Sequence, residues 1–293
     1  ITWPPWGLEY EADPCHAELL VRDLQVDGGE AVVAPGVKRK LEEVTAARNL
    51  KGTQLQEYRA LAARANYLAA DRTDIMYSVK EICRHMAAPS VRALKKLKRL
   101  GRYLLGNPRL TTRYEWQGEE SEITGYSDSD WAGCRVTGKS TSGGVIMIGS
   151  HFIKGWSRTQ NHVTMSSAVV ELIALVKCTT ECMGAQSMFR DWGTNMTCNL
   201  YADSSAALAI AKRKGAGKLR HINVGALWIQ DVQDREGATY MKVLGTANPA
   251  DLMTKYLTRD TKDKHMHAMG GEIDEGHADK SLEMQGSQGQ TQG

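Results

Sequence analysis

The sequence predicts a mixed α/β layer fold, and three observations carry that prediction. From Thr111 the apolar spacing changes from helical to strand-like. Strand-like and amphipathic helical runs then follow in the order β-β-β-α-β-α-α-β-α, which suits helices packed on a sheet. The 293 residues, 42% hydrophobic and 24% charged, are enough for a buried core in one or two domains. Net charge is only +3, so any affinity for nucleic acid has to come from local basic clusters. No apolar run approaches the ~18 residues of a membrane span. The opening "ITWPPWGLEYEADP" lacks the basic head and apolar stretch of a signal peptide. A cytoplasmic or nuclear protein without membrane contact is the expectation, and the start at Ile1 reads as a piece of something longer. The six cysteines form no C-x-x-C pair and are expected to be buried, reduced thiols.

Taken in order, residues 1–55 are weakly patterned, with turn signals at "DGGE" and "APGVKRK". Residues 56–110 read as a small helical unit. Tyr58, Leu61, Ala62, Ala65 and Leu68 form one apolar stripe, and Ile75, Val79, Ile82 and Met86 a second that stops at Pro89. Val91, Leu94, Leu97, Leu100 and Leu104 form a third, whose outer face carries Lys95, Lys96, Lys98, Arg99 and Arg102. Residues 111–259 hold the α/β pattern. "RYEWQ" and "EITGYSDSD" are strand-like, and "GGVIMIG" and "HFIKGWS" form a hairpin around Gly149-Ser150. A long helix is predicted from about Ser166 to Trp192, then the strand "NLYAD", the helix "SSAALAIAKRK" and a helix from near His221. The strand "TYMKVLG" precedes a final helix at "NPADLMTKYLTRD", with Asn248 as cap and Pro249 at its first position. Residues 260–293 are polar and Gly/Gln-rich and are expected to be disordered.

One stretch, "YSDSDWAGCRVTGKS", supports two chemistries. Gly133 to Ser140 matches the phosphate-loop pattern G-x-x-x-x-G-K-[ST]. Such a loop needs a helix after it, and "TSGGVIMIG" is a poor helix start and a fair strand. A Gly-Lys turn between two strands is therefore preferred to nucleotide binding.

The other chemistry rests on carboxylates at element ends: Asp128 in the first strand, Glu171 on the long helix, Asp203 ending the central strand and Asp251 in the first turn of the last helix. Glu171 has Ser167, Ala168, Ala174 and Leu175 one turn away, so it sits at the margin of a buried face. Asp203 is either a helix cap or part of a site, and Asp251 either a helix-dipole partner or part of the same site. Gathered carboxylates suit hard cations with oxygen ligands, and two such ions about 4 Å apart serve phosphodiester cleavage.

These segments resemble the C-terminal part of the Pol polyprotein of copia-type LTR retrotransposons. "YRALAARANYLAADRTDIMYSVKEICRHMAAPS" and "LKKLKRLGRYLLG" are similar to the family's connection between reverse transcriptase and ribonuclease H. "YSDSDWAG", "GKSTSGGVIMIG", "IKGWSRTQNHVTMSSAVVELIAL", "YADSSAALAIA", "KLRHINV" and "NPADLMTKYL" resemble its ribonuclease H motifs in order. Residues 1–55 look like the end of the reverse-transcriptase region. The resemblance implies a ribonuclease H-like fold, a five-stranded mixed sheet flanked by helices, preceded by a helical connection segment. It implies hydrolysis of the RNA strand of RNA–DNA hybrids with two Mg2+ or Mn2+ ions, alongside the upstream reverse transcriptase of the same polyprotein.

By motif match the metal-binding and catalytic carboxylates are Asp128, Glu171, Asp203 and Asp251. The first three would hold one ion, and Asp128 with Asp251 the other. Asp130 is read as a neighbour rather than a ligand. Two departures stand out: Val169 replaces a usual Glu, and "RHIN" stands where the family has "KHID". Lys212, Arg213, Lys214, Lys218, Arg220 and His221 form a basic run that either tracks a nucleic-acid backbone or is a solvated face. His221 contacts phosphate or product, or merely packs at a helix start. Trp131, Trp156 and Trp228 are read as core. The rival reading is a binding or connection module of a decayed element without catalysis.

Overall fold

The computed structural model of the chain describes residues 1–38, 48–215, 224–235 and 237–276. The first part runs β1 (Gly7–Glu11), α1 (Cys15–Asp23), α2 (Gly52–Leu68), α3 (Met76–Cys83) and α4 (Val91–Gly106). All five residues of the first apolar stripe are buried on α2, which begins four residues before the patterned run, at Gly52. Ser90 caps α4 by accepting from the Ala93 amide at 3.3 Å. Residues before the stripes join the same core: Ala12, Ala17, Leu20, Leu24 and Leu50 pack with Tyr58, Leu97, Leu100 and Leu104.

The second part contains β2 (Arg109–Glu115), β3 (Glu122–Asp130), β4 (Thr141–Ile148), β5 (His151–Thr159), α5 (Ser167–Asp191), β6 (Thr197–Ala202), α6 (Ser205–Lys212), α7 (Val224–Asp234) and β7 (Thr239–Lys242). A 3-10 turn at Pro249–Met253, α8 (Arg259–Ala268) and β8 (Gly271–Asp274) follow. The main sheet has five strands in the order β5-β4-β3-β6-β7. β3, β4 and β5 form an antiparallel meander, while β6 and β7 run parallel to β3 and to each other. This is the ribonuclease H-like fold that the motif order implied. The hairpin turns at Gly149, whose φ of +56° is one that glycine adopts readily.

Each face of the sheet has its own core. On one, Ile123, Ile146 and Trp156 pack with Leu172, Leu175, Cys178 and Cys182 of α5. Gly125 makes this closeness possible, because a Cβ there would meet the sulfurs of Cys182 and Cys178 at 2.6 and 2.8 Å. On the other, Val145 and Met147 pack with Leu252, Met253, Met266 and Met269.

Several expectations change. Residues 260–276 are ordered rather than disordered: α8 buries Lys262, His265 and Met266, and β8 pairs with β2 in a three-stranded sheet. Polar composition misleads here because the buried face of α8 itself carries Lys262 and His265, and Lys262 is satisfied there by donating to the Tyr103 hydroxyl at 2.9 Å. The residues from 277 on lie outside the described set. Trp156 is core, but Trp131 and Trp228 are 52% and 37% exposed. The thiols are all unpaired, and Cys178, Cys182 and Cys198 are buried while Cys15, Cys83 and Cys134 are only partly so. No helix among the described residues is long and apolar enough to cross a membrane.

Candidate metal centre

The sheet register brings the carboxylates together. β3 and β6 pair in parallel, with Ser127 beside Ala202, so Asp128 and Asp203 each stand one residue further at the same end. The chain reaches β6 from β5 by way of α5, so its path reverses between these two strands. Such a switch point at the carboxyl ends of strands is where open α/β sheets place ligands. Glu171 comes from the second turn of α5. One carboxylate oxygen each from Asp128, Glu171 and Asp203 lies within 4.8 Å of the others.

Local details free these groups for use. Ser204, not Asp203, caps α6 by accepting from the Ala207 amide at 3.2 Å. Asn248 caps the 3-10 turn through the Ala250 amide at 3.2 Å, so Asp251 is not needed as a cap either. The Asn248 side chain also donates to the Ser127 carbonyl at 2.9 Å, fixing that turn beside Asp128. The "NPAD" segment is this short 3-10 turn rather than the start of a long helix; α8 begins only at Arg259.

Opposite Asp128 across the β3–β4 ladder stands Gly143. A Cβ there would lie 2.6 Å from both Met253 Cβ and Thr254 Cγ2. Gly143 therefore lets the turn approach the sheet closely enough for Thr254 to donate its hydroxyl hydrogen bond to Asp128 Oδ2. Gly143→Ala is expected to cost about 1–3 kcal/mol by overpacking and to weaken metal binding, checked by thermal melts and metal titration.

The electrostatics are those of a site short of positive charge. Burial, with Asp251 and Asp203 adding repulsion against the pull of Lys255 and Thr254, pushes Asp128 up to about 7. Burial and then Asp128 push Glu171 up to about 8. Ser129 lies against the Glu171 carboxylate and opposes this rise, yet Glu171 Oε2 is buried without a hydrogen bond of good geometry among the described residues. Asp251 lies outside the three-carboxylate group but is tied to it: Lys255 Nζ is 2.8 Å from Asp251 Oδ1 and 3.6 Å from Asp128 Oδ2. Burial works against the Lys255 charge, but Asp128 and Asp251 outweigh it and hold its pKa above the ordinary lysine value. Thr254 and Lys255 were not singled out in the sequence; the signal was the i,i+4 pair Asp251–Lys255 inside "NPADLMTK".

Asp130 belongs to no such group; its carboxylate packs over Gly133 in the turn between β3 and β4. That turn is closed by Cys134 N to Lys139 O at 3.1 Å and Ala132 N to Ser140 Oγ at 3.0 Å. Ser140 leads into β4, not into a helix, so the phosphate-loop pattern offers no helix N-terminus and nucleotide binding there is set aside. Val169, in place of the family's Glu, is buried in the α5 core.

Beside the turn opens a cleft of about 620 Å³ whose wall includes Arg84, His85, Arg92, Lys96 and Arg99 from the helical unit and Asp130, Arg135 and Lys255 from the other side. Of the basic face predicted on α4, Lys96 and Arg99 line this cleft. Lys95 and Lys98 are solvent-exposed, and Arg102 donates to the Glu30 carbonyl at 2.7 Å. In the other predicted run, Lys212 and Lys214 are exposed at the end of α6, and Lys214 pairs with Asp234 at 3.4 Å. Arg213 is half-buried, while Lys218, Arg220 and His221 lie outside the described residues.

Comparison with known proteins supplies its relatives. The retrovirus-related Pol polyprotein from transposon RE1 of Arabidopsis thaliana is 30% identical over 261 residues, 87% of this chain. The one from transposon TNT 1-94 of Nicotiana tabacum is 26% identical over 195 residues, 66% of this chain. The chain is homologous to the Pol polyproteins of transposons. It spans 17% and 14% of the length of these two Pol relatives. No family model matches it.

Among solved structures, the N-terminal RNase H domain of a Mycobacterium tuberculosis protein covers 50% of this chain and 98% of that chain, at 15% identity and a TM-score of 0.35. LC11-RNase H1 in complex with an RNA/DNA hybrid covers 50% and 99%, at 16% identity and a TM-score of 0.33.

Proposed function

We propose that the chain contains the ribonuclease H domain of a retrotransposon Pol polyprotein and that it hydrolyses the RNA strand of RNA–DNA hybrids during reverse transcription. The observation that carries this reading is the convergence of Asp128, Glu171 and Asp203 at one sheet end. Three carboxylates so close repel one another, and the buried Oε2 of Glu171, without a hydrogen bond of good geometry among the described residues, asks for a cation. The donor set is all oxygen, which suits Mg2+ or Mn2+ better than zinc or copper. Asp128, Glu171 and Asp203 would hold one ion, and Asp128 with Asp251 a second. Bound there, the ions would neutralise charge on the scissile phosphate and acidify the attacking water.

The chain's own residues do the rest. Thr254 orients Asp128 by its hydrogen bond, and Asn248 and Gly143 hold the turn that carries Thr254. Lys96, Arg99 and Arg92 line the cleft beside the β3–β4 turn, which Lys255 also lines and so links to the carboxylates, and a sugar-phosphate backbone would lie there. Discrimination of RNA from DNA falls to shape and 2′-hydroxyl contacts. The upstream reverse transcriptase of the same polyprotein is the proposed partner.

Incubating labelled hybrid with the chain and Mg2+ or Mn2+ tests the reading. The RNA strand is expected to be cut, and Asp203→Asn to abolish cutting. Hybrid bound but never cut with either metal would make the chain a binding module. Arg92→Glu with Arg99→Glu is expected to weaken hybrid binding by roughly tenfold or more at low salt and to flatten the dependence on salt. Fluorescence anisotropy at several salt concentrations measures both.

A further inference from the structure

Asp251 stands beside Asp128, yet it is not one of the carboxylates whose oxygens approach within 4.8 Å of one another. Lys255 occupies the space between them. Its Nζ lies 2.8 Å from Asp251 Oδ1 and 3.6 Å from Asp128 Oδ2. An ammonium at those distances engages the same oxygens that a divalent ion on this side needs, and two cations repel strongly at that range.

The backbone sets this arrangement. Lys255 follows Thr254, whose hydroxyl binds Asp128, and Gly143 lets the segment lie against the sheet. The end of the side chain is not locked in. Lys255 is 42% exposed while Asp128 is 2% exposed, and the lysine also lines the basic cleft. It therefore has a way off the carboxylates that leads toward a bound phosphate.

We infer that Lys255 is a resident counter-cation of the metal site: it fills the Asp128–Asp251 position in the nucleic-acid-free protein, and a second divalent ion enters only when its side chain swings into the cleft. This rests on the metal-site reading above. The first ion goes to Asp128, Glu171 and Asp203; among the described residues Lys255 pairs with Asp128 and Asp251 but with neither Glu171 nor Asp203. A phosphate in the cleft gives the displaced ammonium a new partner. Nucleic acid and the second ion then favour each other's binding, as linkage requires of any such exchange. Lys255 is a positioning residue in this scheme, since it acts through the occupancy of the carboxylates.

The test counts Mn2+ ions bound to the whole chain without nucleic acid, from the electron paramagnetic resonance signal of the free ion. Wild type is expected to bind one ion. Lys255→Gln and Lys255→Met, which remove the charge and keep most of the stem, are expected to bind a second ion at least roughly tenfold more tightly than wild type does. Their first ion binds at least as tightly as before, which shows that the site is folded. Lys255→Arg is expected to stay at one ion, and Lys255→Gln with Asp251→Asn to return to one. The same number and affinity in wild type, Lys255→Gln and Lys255→Met would overturn the counter-cation and leave the metal site standing. No Mn2+ bound by wild type would overturn the metal site itself, and this inference with it.

Discussion

Asp128→Asn is expected to melt at a higher temperature than wild type in metal-free buffer at pH 8, while hybrid cleavage falls by at least about a hundredfold. Both effects have one cause. Burial and the neighbouring carboxylates raise Asp128 to about 7 and Glu171 to about 8. A carboxyl whose folded pKa is raised favours the folded state fully below its unfolded value, near pH 4, and loses that contribution as pH rises through its folded value. Without metal the wild-type chain should therefore lose stability from about pH 4 up to about pH 8, and the last part of that loss falls between about pH 6 and pH 8.5. A neutral Asn at position 128 removes the main charge repelling Glu171, a gain of about 1–3 kcal/mol. Saturating Mg2+ should stabilise wild type and flatten its pH dependence, and should do neither for Asp128→Asn. Calorimetry at pH 6 and pH 8.5, with and without Mg2+, reads all of these effects. Equal melting temperatures of wild type and variant at pH 8 would contradict the strained-carboxylate account.

The second large effect lies outside the site, where the helical unit meets the end of the α/β part. Arg72 donates to Asp74 through two nitrogens, at 2.9 and 2.7 Å, and to the carbonyls of Asn107 and Pro108. Asp74 also accepts from the Tyr103 hydroxyl at 2.9 Å, and Lys262 of α8 donates to that same hydroxyl. Arg72 and Asp74 are 1% and 4% exposed. Burial alone would raise Asp74, but Arg72, and after it Lys262 and Tyr103, hold it below the ordinary carboxylate range. Removing one partner strands a buried charge. Asp74→Ala is expected to cost about 3–5 kcal/mol, and replacing both with Arg72→Met and Asp74→Leu much less. Because the Asp74 pKa is depressed, its contribution should be present above about pH 4 and lost as pH falls further. Denaturant melts of the single and double variants measure the difference; equal losses would mean that the pair's charges are not the source.

The sequence made much of the fold legible because its apolar spacing is regular. The stripes on α2 to α4, the Gly149 hairpin and the long helix α5 follow from residue spacing and turn chemistry alone. The carboxylates were harder to read. Asp128, Glu171 and Asp203 each had a structural reading, and only the parallel register of β3 with β6 shows that two of them stand side by side. Asp251 was set beside Asp128 by motif resemblance, but no spacing rule shows that Lys255 sits between them. The α8–β8 segment was missed because its buried face contains Lys262 and His265, which composition counts as solvent-facing. In the sequence Gly143 only marks "TSGGVIMIG" as a poor helix start; its meaning appears when Met253 and Thr254 are placed on top of it.

The most direct measurement is cleavage of an RNA–DNA hybrid labelled on the RNA strand, with the chain in Mg2+ and separately in Mn2+, run beside Asp203→Asn. The account predicts RNA fragments ending in 3′-hydroxyls and 5′-phosphates, an intact DNA strand, and no products from the variant. Uncut RNA from wild type in both metals, or equal cutting by Asp203→Asn, would contradict it.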